Sequence, residues 1–286
     1  MRLAVIADIH GSLPALEAVL DQIHAWKVDG LLVAGDMTCG PNSAEVLRRL
    51  QAEKAQMVLG NNEGYLLTFD SGQAPDWWHT SRQWAFNRWV YQHIDRASLD
   101  ILHSLPEQLV IDLPGTVPIR MFHGSLKKSN EHLFPGFGPE PLQQAFARTT
   151  EPVLVCGHSH ILWKEQRDGR LAFNPGAVCF PGNGDLGAQY AILTWEKDCW
   201  MVEHFSAAYD HSLVRKAFID TGLLEEGGAL ARGFLLAIET GRDVALDFLR
   251  YADRLTMEAG FLAHEYIPDY IWDQAVDSFD WERKAG

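Results

Sequence analysis

The sequence predicts an α/β fold in which two β-sheets form a sandwich flanked by helices, followed by a helical C-terminal appendage. Strand-like and helix-like segments alternate through the first sixty residues, and the pattern from Pro106 to about Phe205 is mainly strand-like. From about Asp210 onward, apolar residues again recur at helical spacing. We therefore expect residues 1–209 to form the main domain and residues 210–286 a helical C-terminal extension.

The first elements follow a βαβαβ order. Residues 3–7, 31–34 and 57–59 are short apolar runs typical of buried strands. A helix from Ser12 to about Trp26 separates the first two, and a second helix precedes the third. This order predicts parallel strands whose following loops gather at one edge of the sheet.

Aromatic residues are concentrated between residues 75 and 105. The tryptophans in this stretch are Trp77, Trp78, Trp84 and Trp89. Large aromatic side chains most often pack in a core or between helices, and we favour that interpretation. The alternative, a wall that stacks on a nucleobase, stays open.

A second group of strands is expected after Pro106. The segments with this pattern are residues 109–113, 117–122, 153–156, 190–195 and 200–205. We expect them to form one mixed or antiparallel sheet packed on the first.

Five short motifs carry the chemistry of the chain. In order they are Asp8-Ile9-His10, Gly35-Asp36, Gly60-Asn61-Asn62-Glu63, His123-Gly124 and Gly157-His158-Ser159-His160. Together they supply two carboxylates, one amide and four imidazoles, which are side chains that hold divalent metals. Each motif is weak alone, but coincidence is a poor explanation for all five in this order.

Two of the motifs place ligands at i and i+2 directly after an apolar run. Asp8 and His10 follow the first strand, and His158 and His160 follow residues 153–156. Side chains two apart in an extended segment point the same way, so each pair can face one ion.

Composition restricts the class of protein. The chain has 286 residues, 47% hydrophobic residues and a formal net charge of -14. This charge argues against an extended nucleic-acid surface, but a nucleotide substrate remains compatible because metals can reverse the local field. The cysteines have no CxxC pairing, and we see no signal peptide or membrane span, so we expect a cytoplasmic protein.

The five motifs resemble those of the calcineurin-like metallophosphoesterase superfamily, in particular its small bacterial and archaeal phosphodiesterase-type branch. The resemblance runs over about residues 1–180, and the helical tail from Tyr209 resembles that of some members. It implies a metallophosphoesterase-type sandwich of two mixed β-sheets. Residues beyond about Ile238 fall outside the resemblance.

The resemblance also implies a role for each motif residue. Asp8, His10 and His160 would bind one metal, and Asn61, His123 and His158 the other. Asp36 would bridge the two, because each carboxylate oxygen can coordinate a different ion. Mixed oxygen and nitrogen ligands suit Mn, Fe, Zn, Ni or Co, among which the sequence does not choose.

One position departs from the family pattern. The residue after Asn61 is often a histidine held near the leaving group as a proton donor, and here it is Asn62. Because an amide does not supply a proton at useful rates, we expect good leaving groups to be favoured. Glu63 is expected to orient Asn61 or another ligand.

The predicted function is hydrolysis of phosphate esters, by a phosphodiesterase or nucleotide pyrophosphohydrolase in which a metal-bridging hydroxide attacks phosphorus. Asp36, Asn61 and His123 would be the catalytic residues acting with the metals. A phosphomonoesterase and a non-catalytic metal-binding scaffold are the alternatives. The expected partner is a phosphate-ester or nucleotide substrate, and a homo-oligomer remains open.

The remaining histidines are assigned to the surface or to ordinary packing. They are His24, His79, His93, His103, His132, His204, His211 and His264.

Overall fold

The computed structural model describes residues 1–262 and 266–282. Its strands are β1 (Arg2–Ile6), β2 (Gly30–Val33), β3 (Gln56–Met57), β4 (Gln108–Ile111), β5 (Ile119–Phe122), β6 (Val153–Val155), β7 (Trp163–Arg167), β8 (Arg170–Asn174), β9 (Ala188–Glu196) and β10 (Cys199–Ala207). They form two five-stranded sheets, ordered β10-β9-β1-β2-β3 and β4-β5-β6-β8-β7.

Helices lie outside the sheets and at the C-terminal end. They are α1 (Leu13–Trp26), α2 (Ser43–Ala52), α3 (Asn61–Asp70), α4 (Asp76–Thr80), α5 (Ala85–His93), α6 (Arg96–Ser104), α7 (Glu140–Arg148), α8 (His211–Asp220), α9 (Leu223–Glu226), α10 (Gly228–Thr240), α11 (Val244–Glu258) and α12 (Asp269–Ser278). Among the described residues, no helix is both long enough and apolar enough to cross a bilayer.

The predicted sandwich of two mixed sheets is confirmed. β1, β2 and β3 are parallel, and so are β5, β6 and β8, whereas β9, β10, β4 and β7 run antiparallel to their neighbours. Buried side chains of both sheets meet between them, including Val5, Leu32, Met121, Phe173 and Leu193. The carboxyl ends of the central parallel strands lie at the same edge of the sandwich.

The assignment of the last two strands to the second sheet was wrong. β9 pairs antiparallel with β1 in the first sheet, with Val5 opposite Ala191, and β10 pairs with β9. The second sheet is completed by the hairpin β7–β8, which the sequence analysis missed. Apolar pattern identifies a strand but carries no information about its partner, and β7 is a polar edge strand with little such pattern.

The helices after residue 209 pack into the main core. Val214, Leu235 and Phe248 are buried in the same cluster as Ile6 and Leu16. The division of the chain into a main domain of residues 1–209 and an extension of residues 210–286 therefore stays a prediction.

A partly buried ion pair links β5 to the segment just before β6 in the second sheet. Arg120 of β5 donates to both carboxylate oxygens of Glu151, at 3.0 and 2.6 Å, next to the start of β6. The Glu151 side chain is 8% exposed, and the hydrogen bonds from Arg120 hold its pKa below the ordinary value.

We expect Glu151→Gln to lower the free energy of unfolding by about 1 kcal/mol at neutral pH. The folded-state pKa is depressed, so this stabilisation is present above the unfolded value and is lost as the pH falls through the folded value. Urea unfolding of both proteins at pH 7 and near about pH 4 measures the difference, which should shrink in acid. A difference that does not change with pH would contradict the ion-pair explanation.

Candidate metal centre

All seven predicted ligands lie at one edge of the sandwich. Asp8 and His10 follow β1, Asp36 follows β2, and Asn61 is the first residue of α3. The remaining three ligands are His123, which follows β5, and His158 and His160, which follow β6. Both sheets thus contribute to one site.

Six of these residues form two clusters. Asp8, His10 and His160 bring one ligand atom each to within 4.8 Å of one another, and so do Asp36, His123 and His158. In the first cluster, His10 Nε2 lies 3.1 Å from His160 Nε2, which is 3.5 Å from Asp8 Oδ1. Such convergence of imidazole nitrogens and carboxylate oxygens matches the donor chemistry of a transition-metal ion.

Asp36 lies between the two clusters. Its Oδ2 is 3.3 Å from His123 Nε2 and 3.8 Å from His10 Nε2, so one carboxylate reaches ligands of both. Asn61 joins the second cluster, because its Oδ1 is 3.1 Å from His123 Nε2. The residues therefore fit two adjacent ions that share Asp36.

The prediction that ligands two residues apart face one ion because they lie in an extended segment was wrong. The backbone at the ligands after β1 and β6 is left-handed, with φ of 55° at Asp8, 47° at His10, 68° at His158 and 54° at His160. Moreover, His158 and His160 belong to different clusters. The ligands converge because tight turns redirect the chain beyond the strand ends.

Backbone carbonyls determine which imidazole nitrogens face the centre. His123 Nδ1 is 2.7 Å from the Ala34 carbonyl, and His160 Nδ1 is 3.2 Å from the Phe180 carbonyl. An Nδ1–H that donates to a carbonyl leaves Nε2 directed at the metal position. Both rings are thus oriented for coordination through Nε2.

Burial and proximity shift the ionisation of this centre strongly. Burial alone raises the pKa of Asp36, but His123 and His10 outweigh that effect and hold the pKa well below its usual range. Burial lowers the pKa of His10 to about 4 and that of His158 to about 3. At His123 burial is outweighed by Asp36 and Asp8, which raise the pKa to about 10. Two buried carboxylates therefore attract positive charge to the site.

Glu63 acts on the loop that carries Asp36. Its fully buried carboxylate accepts hydrogen bonds from the amides of Asp36, Thr38 and Gly60 at 2.8–2.9 Å. Burial and the neighbouring Asp36 raise the pKa of Glu63, and the bonds from Thr38 and Gly60 oppose this. Glu63 thus joins the turn after β2 to the start of α3, on which Asn61 lies.

Asn62 contacts the carboxylate between the clusters. Its amide nitrogen Nδ2 donates to Asp36 Oδ2 at 2.6 Å, and its backbone N–H donates to Asp36 Oδ1 at 3.0 Å. The position that is often histidine in the family therefore holds Asp36 in place here.

The sequence analysis missed residues that pack against the ligands. His132 was assigned to the surface or to ordinary packing, and its ring stacks on the predicted ligand His158 with centroids 4.5 Å apart. Phe180 packs on His10 and His160 at 4.5 and 4.7 Å, and contacts Phe234 at 5.2 Å. No sequence motif identifies His132 or Phe180. Of the histidines assigned to the surface or to ordinary packing, His264 lies outside the described residues.

The tryptophans divide between two environments. Trp89 is buried in the main core, as favoured. Trp78 and Trp84 stack at 3.5 Å and contact the edge of Tyr65, a residue of the helix that begins at Asn61. Trp78 and Trp84 therefore pack against Tyr65 near the site, and they are not members of the metal clusters.

Comparisons with known proteins identify the family of the chain. A profile of the calcineurin-like phosphoesterase superfamily domain matches residues 1–198. The chain is 30% identical to phosphodiesterase YfcE of Escherichia coli over 206 residues, which are 68% of this chain and 87% of YfcE. A shorter match, 39% identical over 72 residues (24% of this chain and 26% of the relative), is to a symmetrical bis(5'-nucleosyl)-tetraphosphatase of Erwinia tasmaniensis.

Among solved structures, a metallophosphoesterase from Sphaerobacter thermophilus aligns with a TM-score of 0.67 and 25% identity. The alignment covers 84% of this chain and 100% of that structure. Fold and site together define a metal-dependent hydrolase of phosphate esters. The chain belongs to the calcineurin-like phosphoesterase superfamily.

The close approach of Gly60 to Asp36 provides a test of the site. A Cβ at Gly60 would lie 2.1 Å from Asp36 Oδ1 and 2.4 Å from the Asp36 backbone nitrogen. We expect Gly60→Ala to displace this carboxylate and weaken metal binding by ~10–100-fold, as measured by calorimetric titration of the metal-free protein.

Gly64→Ala is the matched control, one turn further along α3. A Cβ there meets nothing within 4 Å, so metal binding should be unchanged and the helix slightly stabilised. Wild-type metal affinity in a folded Gly60→Ala protein would show that Asp36 does not contribute as described.

Proposed function

We propose that this chain is a di-metal phosphodiesterase or nucleotide pyrophosphohydrolase. The observation that carries the proposal is Asp36, whose carboxylate reaches both clusters. Asp8, His10 and His160 would hold one ion, Asn61, His123 and His158 the other, and Asp36 both. The names of the two relatives, a phosphodiesterase and a tetraphosphatase, support this substrate range.

Two bound divalent ions supply an activated water at neutral pH and stabilise negative charge on phosphoryl oxygens. The protein's own residues determine how that chemistry is used. Asp36, held by Asn62 and by the turn that Glu63 organises, would hold both ions, and the carbonyl partners of His123 and His160 fix their rings. The ligand set suits Mn, Fe, Zn, Ni or Co, and we propose Mn for reconstitution.

The amide at Asn62 determines which leaving groups we expect the protein to favour. Because its side chain is an amide that donates to Asp36, it does not protonate a departing oxygen. Phosphoanhydrides and activated aryl diesters, whose leaving groups are stable anions, would therefore react without assistance.

We place the activity in the cytoplasm. The described residues include four cysteines, and all four are free thiols, of which Cys39, Cys156 and Cys179 are buried. Unpaired cysteines are typical of a reducing compartment. Self-association remains a proposal to be tested by sedimentation.

We expect the protein, after chelation and reloading with Mn, to hydrolyse bis-p-nitrophenyl phosphate faster than p-nitrophenyl phosphate. The leaving group is the same in both, and a cavity beside Asn61 and His123 offers room for the second arm of a diester. Release of p-nitrophenolate measures both rates. Preference for the monoester would favour the phosphomonoesterase alternative.

Asp36→Asn distinguishes an enzyme from a metal-binding scaffold. The change is isosteric and removes the negative charge of the carboxylate that would bind both ions. Turnover of the diester should therefore fall by at least ~10²-fold. Thermal unfolding of the metal-free variant checks that the fold survives. Retained turnover would refute the bridging role, and a Mn-loaded wild type without any turnover would favour the scaffold.

A further inference from the structure

A cavity opens beside the second metal cluster. It has a volume of about 310 Å³ and is bounded by Asn61, His123 and the loop of residues 125–130. This size lies at the lower end of the range for small-molecule sites. Because two predicted metal ligands form part of its wall, a phosphoryl group at the centre would extend one substituent into the cavity.

The wall of this cavity carries positive charge. Lys127 and Lys128 line it, and Glu107 is the acidic residue among the described lining groups. The Lys127 ammonium donates to Gln144 Oε1 at 2.7 Å, and Gln144 lines a neighbouring cavity that Lys127 also borders. In a chain with a net charge of -14, such an excess of lysine next to the centre favours an anionic substituent.

A second part of the wall is aromatic and polar. Tyr65 lines the cavity together with Asn61 and Asn130. The ring is supported by edge contacts with Trp78 and Trp84, at 5.8 and 5.2 Å. One wall therefore suits phosphate oxygens, and the other offers a fixed aromatic surface.

We propose that this cavity binds a phosphate-bearing leaving group, so that the preferred substrates are nucleotide phosphoanhydrides rather than simple diesters. Lys127 and Lys128 are the specificity-determining residues. This inference rests on the proposed function and deepens it by naming the substrate class.

The reaction balances without a proton donor at position 62. Water adds to one phosphorus, and the bond from that phosphorus to the bridging oxygen breaks. The electron pair remains on that oxygen, which leaves as a phosphate or nucleotide anion, while the proton of the water passes to solvent. A leaving phosphate gains negative charge as it departs, and the two ammonium groups stabilise it in the cavity.

The test compares two substrates of the Mn-loaded protein, diadenosine tetraphosphate and bis-p-nitrophenyl phosphate. The double variant Lys127→Met/Lys128→Met should lose ~10–100-fold in kcat/KM for the tetraphosphate, because two charge-assisted contacts are removed. Hydrolysis of the aryl diester, whose leaving group carries no phosphate, should change by less than about threefold.

Lys54→Met/Lys197→Met is the matched control. It removes the same charge from two exposed lysines that do not line the cavity, so both substrates should react as with wild type. A second readout is calorimetric binding of adenosine 5'-phosphate to the Mn-loaded proteins, which should weaken by a similar factor in the cavity variant alone.

The possible results separate the two hypotheses. An equal loss on both substrates, no loss on either, or the same loss in the control would overturn the cavity assignment while leaving the hydrolase intact. If the Mn-loaded wild type hydrolyses neither substrate, the proposed function itself fails.

Discussion

Backbone hydrogen bonds between the loops that follow β1 and β2 hold the candidate centre together. The amide of Asp8 donates to the Gly35 carbonyl at 3.1 Å, and those of Ile9 and His10 donate to the Asp36 carbonyl at 2.8 and 3.0 Å. A left-handed backbone costs a non-glycine residue about 1–2 kcal/mol, so each ligand turn depends on such bonds. The amide of His158, which donates to the Asp8 carboxylate at 3.0 Å, connects the second sheet to the same arrangement.

Charge is the second constraint on this site. Asp8 and Asp36 are fully buried, and carboxylates in that position need positive partners. Without metals the imidazoles of His123 and His160 are the positive partners. The carboxylates raise the pKa of both rings, although burial opposes this shift. Divalent ions would replace those protons and leave the centre cationic, which is what an anionic phosphate substrate requires.

The helices after residue 209 belong to the site as well as to the core. Phe234 of α10 packs on Phe180, which covers the rings of His10 and His160. Burial and His160 lower the pKa of His132, and Asp8 opposes the shift; Arg250 of α11 and Asp243 make smaller contributions of opposite sign. These helices lie beyond residues 1–198, the part of the chain that matches the superfamily profile.

The sequence by itself predicted the fold class and the seven ligand candidates, because these depend on local apolar pattern and on the chemistry of short motifs. The family resemblance added that Asn62 stands where a histidine is often found. It did not determine that β9 pairs with β1 or that His132 and Phe180 pack on the ligands, and only the family resemblance assigned His158 and His160 to different ions. Those facts arise from contacts between residues far apart in the chain. Only the tertiary structure decided them, because strand pairing and turn conformation follow from how distant segments pack and hydrogen-bond, which periodicity does not encode.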